Sequence, residues 1–193
     1  MGLVTKALFV LIAGPSGVGK TTVMHKLRER GHDFHKVITA TTRPPRPGEK
    51  HRVDYHFLTE AEFDQLLADG KLLENAAVFG KKYGVPADQV LENLAAGRDV
   101  FLITDVQGAA TIRSKIPEVI SIFLKPTSLA QIEKRIRSRE TDPIAIERRL
   151  SEAVKEIARA NEFTHVIVNR IGKIEETLDQ IEKLLDHYRR VND

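Results

Sequence analysis

The 193-residue chain predicts an α/β fold, a parallel sheet with crossover helices that is interrupted by a smaller insert. Three observations carry that expectation. Short apolar, β-branched runs alternate with stretches of helical periodicity. A glycine-rich turn, Gly14–Thr21, follows the first apolar run directly and opens a helical pattern. A polar segment holding Pro44, Pro45 and Pro47 then breaks the alternation and starts a region with short strands and a helix of its own.

Taken in order, the expected core strands are Leu8–Ala13, His35–Thr39, Val100–Asp105, Val119–Leu124 and His165–Val168. Lys20–Arg30 reads as a helix closed by Gly31, a residue suited to a left-handed cap. Thr59 and Glu62 have capping-box spacing for a helix to about Ala68, stopped by Gly70. Pro86 suits the first turn of a helix reaching Ala96 and Gly97, and Ser128 with Gln131 caps another. The last helix, Lys173–Arg190, places Ile174, Leu178, Ile181, Leu185 and Tyr188 on one face, a stripe that reads as core packing.

Composition narrows the function classes. The net charge of +3 comes from acids and bases mixed along the whole chain, with no basic block of the kind that tracks a nucleic-acid backbone. No cysteine is present, which removes disulfides, thiolate metal sites and cysteine nucleophiles together and fits the cytosol. Leu8–Ala13 is too short to span a bilayer. The seven histidines are scattered without ligand spacing and read as surface or structural groups.

Gly14-Pro15-Ser16-Gly17-Val18-Gly19-Lys20-Thr21 fits the phosphate-loop pattern of two glycines four residues apart followed by Lys and Ser or Thr. The glycines let successive N–H groups turn inward around phosphate oxygens, and the helix that begins near Gly19 adds the positive end of its dipole. Lys20 then neutralises the outer phosphates while the Thr21 hydroxyl helps hold Mg²⁺. The loop makes the chain a nucleotide phosphate binder, but it does not choose between a kinase, an ATPase and a GTPase.

The acceptor has to be read elsewhere. Arg43 and Arg46 lie on the proline-stiffened loop, where guanidinium forks pair with phosphate and a stiff loop loses little entropy; a solvated basic turn is the plainer alternative. Glu74 and Asp105 border apolar strands, and a carboxylate can accept the N1 and N2 hydrogens that guanine presents and adenine does not. Asp105 has two rival roles, as a Mg²⁺ ligand or as the cap of the next helix, and Glu74 has the rival role of a strand-edge charge. Between Arg135 and Arg149 five arginines (135, 137, 139, 148 and 149) surround a polar turn, which suggests a lid that excludes water and stabilises charge on a transferring phosphoryl group.

In order along the chain, the phosphate loop, Thr41-Thr42-Arg43-x-Pro45-Arg46-x-Gly48-Glu49, Asp54-Tyr55-x-Phe57, Leu73-Glu74, Tyr83-Gly84, Asp105-Val106-Gln107-Gly108, the lid arginines and Val166-Ile167-Val168-Asn169 resemble guanylate kinase over nearly the whole chain. The resemblance implies an α/β three-layer P-loop core with a parallel sheet, a small inserted nucleoside-monophosphate-binding subdomain and a helical lid. It implies core segments at 1–36, 89–128 and 156–193, the GMP subdomain at 37–88 and the lid at 129–155. The implied partners are small-molecule nucleotides, ATP and GMP, with Mg²⁺, in a cytoplasmic monomer or homodimer without nucleic-acid or membrane partners.

Carried over by position, Gly14 to Thr22 and Asn169 would serve ATP, with Asn169 near the adenine and Thr21 on Mg²⁺. Thr39, Arg43, Arg46, Tyr55, Glu74, Tyr83 and Asp105 would hold GMP, with Arg43, Arg46, Tyr55 and Tyr83 on its phosphate and the two acids on the guanine. Lys20, Arg43, Arg139 and Arg149 would act on the transferring group. Several positions depart from the family pattern. Thr39 replaces a usual Ser, Val85 a Ser or Thr that bonds guanine, Ile103 the first acid of the strand end, and Arg52 a Gly. Arg170-Ile171 follows Asn169 where acids are common, and the lid is about one residue short. Two rivals follow from these departures: a monophosphate kinase of different or broader purine specificity, or a non-catalytic guanylate-kinase-like binding module.

Overall fold

The structure is a computed structural model that describes residues 7–78, 80–138 and 140–192. Strand β1 (Phe9–Ala13) leads through the glycine-rich turn into α1 (Lys20–Glu29). The chain then forms β2 (His35–Lys36), β3 (Ala40–Thr41), β4 (His56–Phe57), α2 (Glu60–Ala68), β5 (Leu72–Val78), β6 (Lys81–Pro86) and α3 (Ala87–Ala95). It continues with β7 (Val100–Ile103), α4 (Val106–Lys115), β8 (Ile120–Pro126), α5 (Leu129–Arg137), α6 (Pro143–Ala158), β9 (His165–Asn169) and α7 (Ile174–Asn192).

The main sheet is parallel throughout, in the order β2-β7-β1-β8-β9. Its strands are apolar on both faces because helices cover both. On β1 the alternation sorts side chains cleanly: Val10 and Ile12 join one core cluster with Val23, Leu27, Leu178 and Leu185, while Phe9, Leu11 and Ala13 join another with Val90, Leu94, Ala109 and Ile112. The period of two therefore builds three layers, α1, α5 and α7 on one side and α3 and α4 on the other.

A second sheet, β4-β3-β6-β5, forms the insert. It pairs β3 with β4 in parallel and runs antiparallel elsewhere, over a small core of Ala40, Phe63 and Leu72. The capping box at Thr59 and Glu62 starts α2 as its spacing predicts. The expected strand His35–Thr39 is shorter, because only His35, Lys36 and the Val37 N–H bond to the main sheet before the chain crosses into the insert. The expected strand Val100–Asp105 ends at Ile103, where Asp105 turns the chain into α4. Pro86 stands just before the first turn of α3 instead of inside it. Among the described residues, no helix is long and apolar enough to cross a membrane.

Candidate active site

β1 sits between β7 and β8 with Ile12 beside Ile103 and Ala13 beside Phe123, so the glycine-rich loop and Asp105 both emerge from the carboxyl edge of the sheet. That edge is where open α/β sheets bind ligands. The loop backbone adopts the left-handed or related conformations that glycine permits at Gly14, Gly17 and Gly19. Gly19 is the N-cap of α1 and supplies no side-chain cap, so the first N–H groups of the helix have no side chain across them and suit an anion. A β-carbon at Gly19 would lie 2.8 Å from Asn169 Nδ2, which shows how closely the loop is held from behind.

Asn169 and Arg135 grip this loop, and Gln131 in turn holds Asn169. Asn169 Nδ2 donates to the Val18 carbonyl at 2.7 Å, and Asn169 Oδ1 accepts from Thr177 at 3.0 Å. Gln131 Nε2 donates to the Asn169 carbonyl at 3.2 Å. Arg135 Nη1 donates to the Gly17 carbonyl at 2.6 Å. Gln131, Asn169 and Thr177 are all buried, and a buried polar group is stabilising only when its partners are in place. Lys20 folds back on the loop, donating to the carbonyl of Gly14 at 2.5 Å and of Pro15 at 3.3 Å. Burial holds its ammonium below the ordinary lysine range, opposed by the charges of Glu156 and Asp105. Pro15 is buried; Ser16, Thr21 and Thr22 are exposed.

Asp105 performs its structural role: one carboxylate oxygen, Oδ1, accepts from the backbone N–H of Gln107 at 2.9 Å and of Gly108 at 2.8 Å, capping α4. Capping uses one oxygen and leaves the other outside those two bonds. Glu74 lies nearby on β5, directly after an irregularity in the β5–β6 register. Gly108 makes room for it, since a β-carbon there would lie 3.2 Å from the Glu74 carboxyl carbon. Glu74 is only 5% exposed, and among the described residues no donor reaches its carboxylate. Burial first, and the Asp105 charge second, push its pKa up to about 7, against the pull of Lys115. A largely buried carboxylate without donors is a costly feature that a ligand carrying N–H groups would relieve.

Arg43 is set differently. Its guanidinium meets Glu49 in a bidentate pair, Nη1 to Oε2 at 2.6 Å and Nη2 to Oε1 at 2.7 Å. It also lies over the Tyr55 ring, 4.8 Å from the centroid. The pair keeps the Glu49 carboxyl at about 2 and raises Arg43 further. Tyr55 packs edge-on to Tyr83 at 6.3 Å, and burial raises its hydroxyl pKa. Arg46 is exposed and lines a cavity of about 410 Å³ with Ser16, Gly17, Arg135, Ile136, Glu140 and Arg149. Thr39 is partly buried where the chain enters the insert.

The segment expected as the lid is the α5–α6 pair, with Asp142 capping α6 and Pro143 in its first turn. Arg149 Nη2 lies 3.5 Å from Glu140 Oε2 on the cavity wall. Arg137 pairs with Glu133 on the exposed face of α5, and Arg139 lies outside the described residues. The Asn169 side-chain amide, whose residue is expected near an adenine, bonds to the back of the phosphate loop. Val85 is 1% exposed within the apolar core around Leu11 and Val90, and Ile103 packs against the opposite cluster.

Glu156 escaped the sequence reading. It sits on α6, where burial foremost raises its pKa to about 7, with Lys20 opposing and Asp105 and Glu152 adding to the rise. In the sequence it is one more acid on an amphipathic helix; only the fold turns it toward Lys20. Gln131 and Thr177 carried no signal beyond helix capping and helical periodicity, since their partner Asn169 is far from either in the chain or across a helix boundary.

The comparisons agree with this geometry. The family model described as guanylate kinase matches residues 6–188. A guanylate kinase from Gloeobacter violaceus is 45% identical over 177 residues, 91% of this chain and 85% of that protein. One from Thermobifida fusca is 42% identical, covering 91% of this chain and 89% of its own. Among solved structures, guanylate kinase from Anaplasma phagocytophilum superposes with a TM-score of 0.78 at 32% identity, over 97% of this chain and 89% of that one. With an inserted second sheet and a pair of helices beside the glycine-rich loop on one parallel core, and with these matches, the chain belongs to the guanylate kinase family.

Proposed function

We propose that the chain transfers the terminal phosphoryl group of ATP to GMP, giving ADP and GDP, with the nucleotides meeting between the phosphate loop and the inserted sheet. The observation that carries this reading is Glu74: a buried carboxylate without donors, set beside Asp105 at the sheet edge that also bears a complete phosphate loop. Guanine N1–H and N2–H supply the two donors that this carboxylate lacks, and adenine has no hydrogen at N1. Asp105 reads the same base edge with the oxygen that capping leaves over.

The phosphate loop from Gly14 to Thr22 cradles the ATP phosphates through its backbone. Lys20 swings from its own loop carbonyls to the outer phosphates, a short move because it already lies against the loop. Asn169 acts in ATP binding through the loop it holds. Arg43, Arg46, Tyr55, Tyr83 and Thr39 hold the acceptor phosphate; Glu49 keeps the Arg43 fork extended until that phosphate shares it. Arg139 and Arg149 close over the transferring group, and Arg46 and Arg149 already face one cavity. The acceptor phosphate is anionic at neutral pH, so no general base is needed.

Mg²⁺ fits this site in the manner of phosphate-bound magnesium: Thr21, exposed in the first turn of α1, offers a hydroxyl, and the nucleotide supplies most of the oxygens. Among the described residues no three acidic or histidine groups converge into a dedicated cage. When bound, the ion neutralises charge on the outer phosphates. We take residues 37–88 as the GMP subdomain, 129–155 as the lid and the remainder as core, acting in the cytoplasm as a monomer or homodimer on nucleotides alone.

The testing experiment measures ADP release with ATP, Mg²⁺ and GMP, dGMP, AMP, IMP, CMP or UMP in turn. Release with GMP well above the others supports the reading, with IMP well below GMP because it lacks the 2-amino group. Release with AMP equal to GMP, or none with any, overturns it.

A further inference from the structure

The chain passes between the main sheet and the inserted sheet twice, outward at residues 37–39 and back at Pro86–Ala87. The outward crossing breaks the ladder. Val37 N–H still bonds to the main sheet through the Phe101 carbonyl at 2.9 Å, and the Thr39 carbonyl already accepts from His56 N–H at 2.8 Å in the insert. Ile38, between them, belongs to neither sheet. Its backbone is satisfied by one side chain from the return crossing: Gln89 Oε1 accepts from Ile38 N–H at 2.8 Å, and Gln89 Nε2 donates to the Ile38 carbonyl at 2.8 Å. The amide thus stands in for a missing strand partner.

The same amide makes two further bonds. Its oxygen meets His35 Nε2 of β2 at 3.2 Å, and its nitrogen meets His56 Nε2 of β4 at 3.1 Å. All four hydrogen-bonding positions of the amide are then used. The polarity of the Ile38 backbone decides which way the amide points, so the histidines have no freedom: His35 Nε2 must donate, and His56 Nε2 must accept. One histidine belongs to the core sheet, the other to the insert, and Gln89 itself to α3.

We propose that Gln89 is a positioning residue, a clasp that sets the GMP-binding insert on the phosphate-loop core, and that protonation of His56 at Nε2 releases it. A protonated His56 presents a hydrogen to the Gln89 nitrogen, and flipping the amide to accept it would set the NH₂ against Ile38 N–H. The groups facing His56 are the His51 ring, edge-on at 5.8 Å, Arg52 before β4 and Asp88 on α3, with His35 reached through Gln89. Burial, His51 and Arg52 disfavour the charged ring and only Asp88 favours it, so His56 is held neutral below its ordinary range. The clasp is intact at and above neutral pH and opens as pH falls below about 6.5, the window in which the unfolded or opened segment takes up the proton more readily.

Three readouts test this. At pH 8, imidazole nitrogen shifts are expected to show His56 protonated at Nδ1 and His35 at Nε2; an Nε2-protonated His56 overturns the proposal. The amide-exchange protection of Ile38, relative to Leu11 in β1, is expected to fall about tenfold between pH 8 and 5.5, the equivalent of one hydrogen bond of this kind. Gln89→Glu reverses that trend, because a carboxylate repels the Ile38 carbonyl at high pH and accepts from a charged His56 at low pH. The same direction in both proteins overturns the proposal. Gln89→Leu is expected to raise the KM for GMP about tenfold with the KM for ATP within about twofold; equal changes in both overturn it. The KM arm rests on the GMP reading, while the exchange and nitrogen-shift arms stand without any turnover, so failure of one is distinct from failure of the other.

Discussion

The two halves of the proposed site would bind phosphate and base by opposite means. The phosphate loop is backbone held in place by side chains: Asn169 on Val18, Arg135 on Gly17 and Lys20 on Gly14, so its N–H groups are arranged before any nucleotide arrives. The base side is side chain held in place by backbone: Glu74 on a strand against Gly108 and Asp105 on a helix cap, with the Glu74 carboxylate left without donors. Phosphate is bulky and uniformly negative, and a ring of amides suits it without discrimination. A base is told from another by one or two hydrogens, and that requires desolvated side chains whose unmet bonds penalise the wrong ligand. The arginine loop lies between these cases, since Glu49 satisfies Arg43 in place of phosphate.

The sharpest test of the phosphate half is Lys20→Ala. Turnover is expected to fall by about three orders of magnitude or more, as charge on the transferring group loses its neutralising partner. The melting temperature should hold, since a buried ammonium is removed along with its desolvation. Near-wild-type turnover by the folded variant would break the assignment. On the base side, Glu74→Ala is expected to raise the KM for GMP about a hundredfold, the scale of two charge-assisted bonds, while the KM for ATP stays within about twofold. Steady-state kinetics with each substrate varied would show whether the division is real.

Smaller in size, but specific to the contrast, is the pH response. Glu74 carries its proton below about 7 and must lose it to accept two N–H groups. The KM for GMP should therefore rise about tenfold per pH unit below 7 and level off above about 8, and Glu74→Gln should flatten the slope. The sign for stability is opposite. Because the folded pKa lies above the ordinary 4.5, the ligand-free fold loses stability as pH rises from 4.5 to 7, and bound GMP should reduce that loss in thermal melts. Asn169→Ala removes a buried bond from behind the phosphate loop. It should raise the KM for ATP about tenfold, lower the melting temperature by several degrees and leave the KM for GMP nearly unchanged. Least affected is Val85→Thr. Its side chain faces the apolar core, so the expected result is a cost of about 1–2 kcal/mol in stability with little gain in GMP affinity. A clear gain would show that the hydroxyl reaches the base.

Much of this was legible in the chain. The phosphate loop is local, and its glycines, lysine and threonine lie in one unbroken segment, so spacing alone conveys their task. The capping box at Thr59, the Gly31 stop and the apolar stripe of α7 are equally local and appear as read. Strand ends were less legible. His35–Thr39 looks like one strand, yet it pairs with the main sheet only as far as Val37 and bonds to the insert from Thr39, because nothing within the run says where its hydrogen-bonding partner changes. For Asn169 the sequence carries no sign of its neighbours in space, the Val18 carbonyl and Thr177.

By itself the sequence determined the layers, the phosphate loop and the pair of acids, because periodicity and short-range spacing act within a few residues of one another. Only the tertiary structure decided what those acids experience. It buried Glu74 without donors, turned Glu156 toward Lys20, placed Asn169 behind the loop and joined Ile38, His35 and His56 through Gln89. Desolvation and hydrogen bonding are set by what packs against a group, and those partners are distant in the chain.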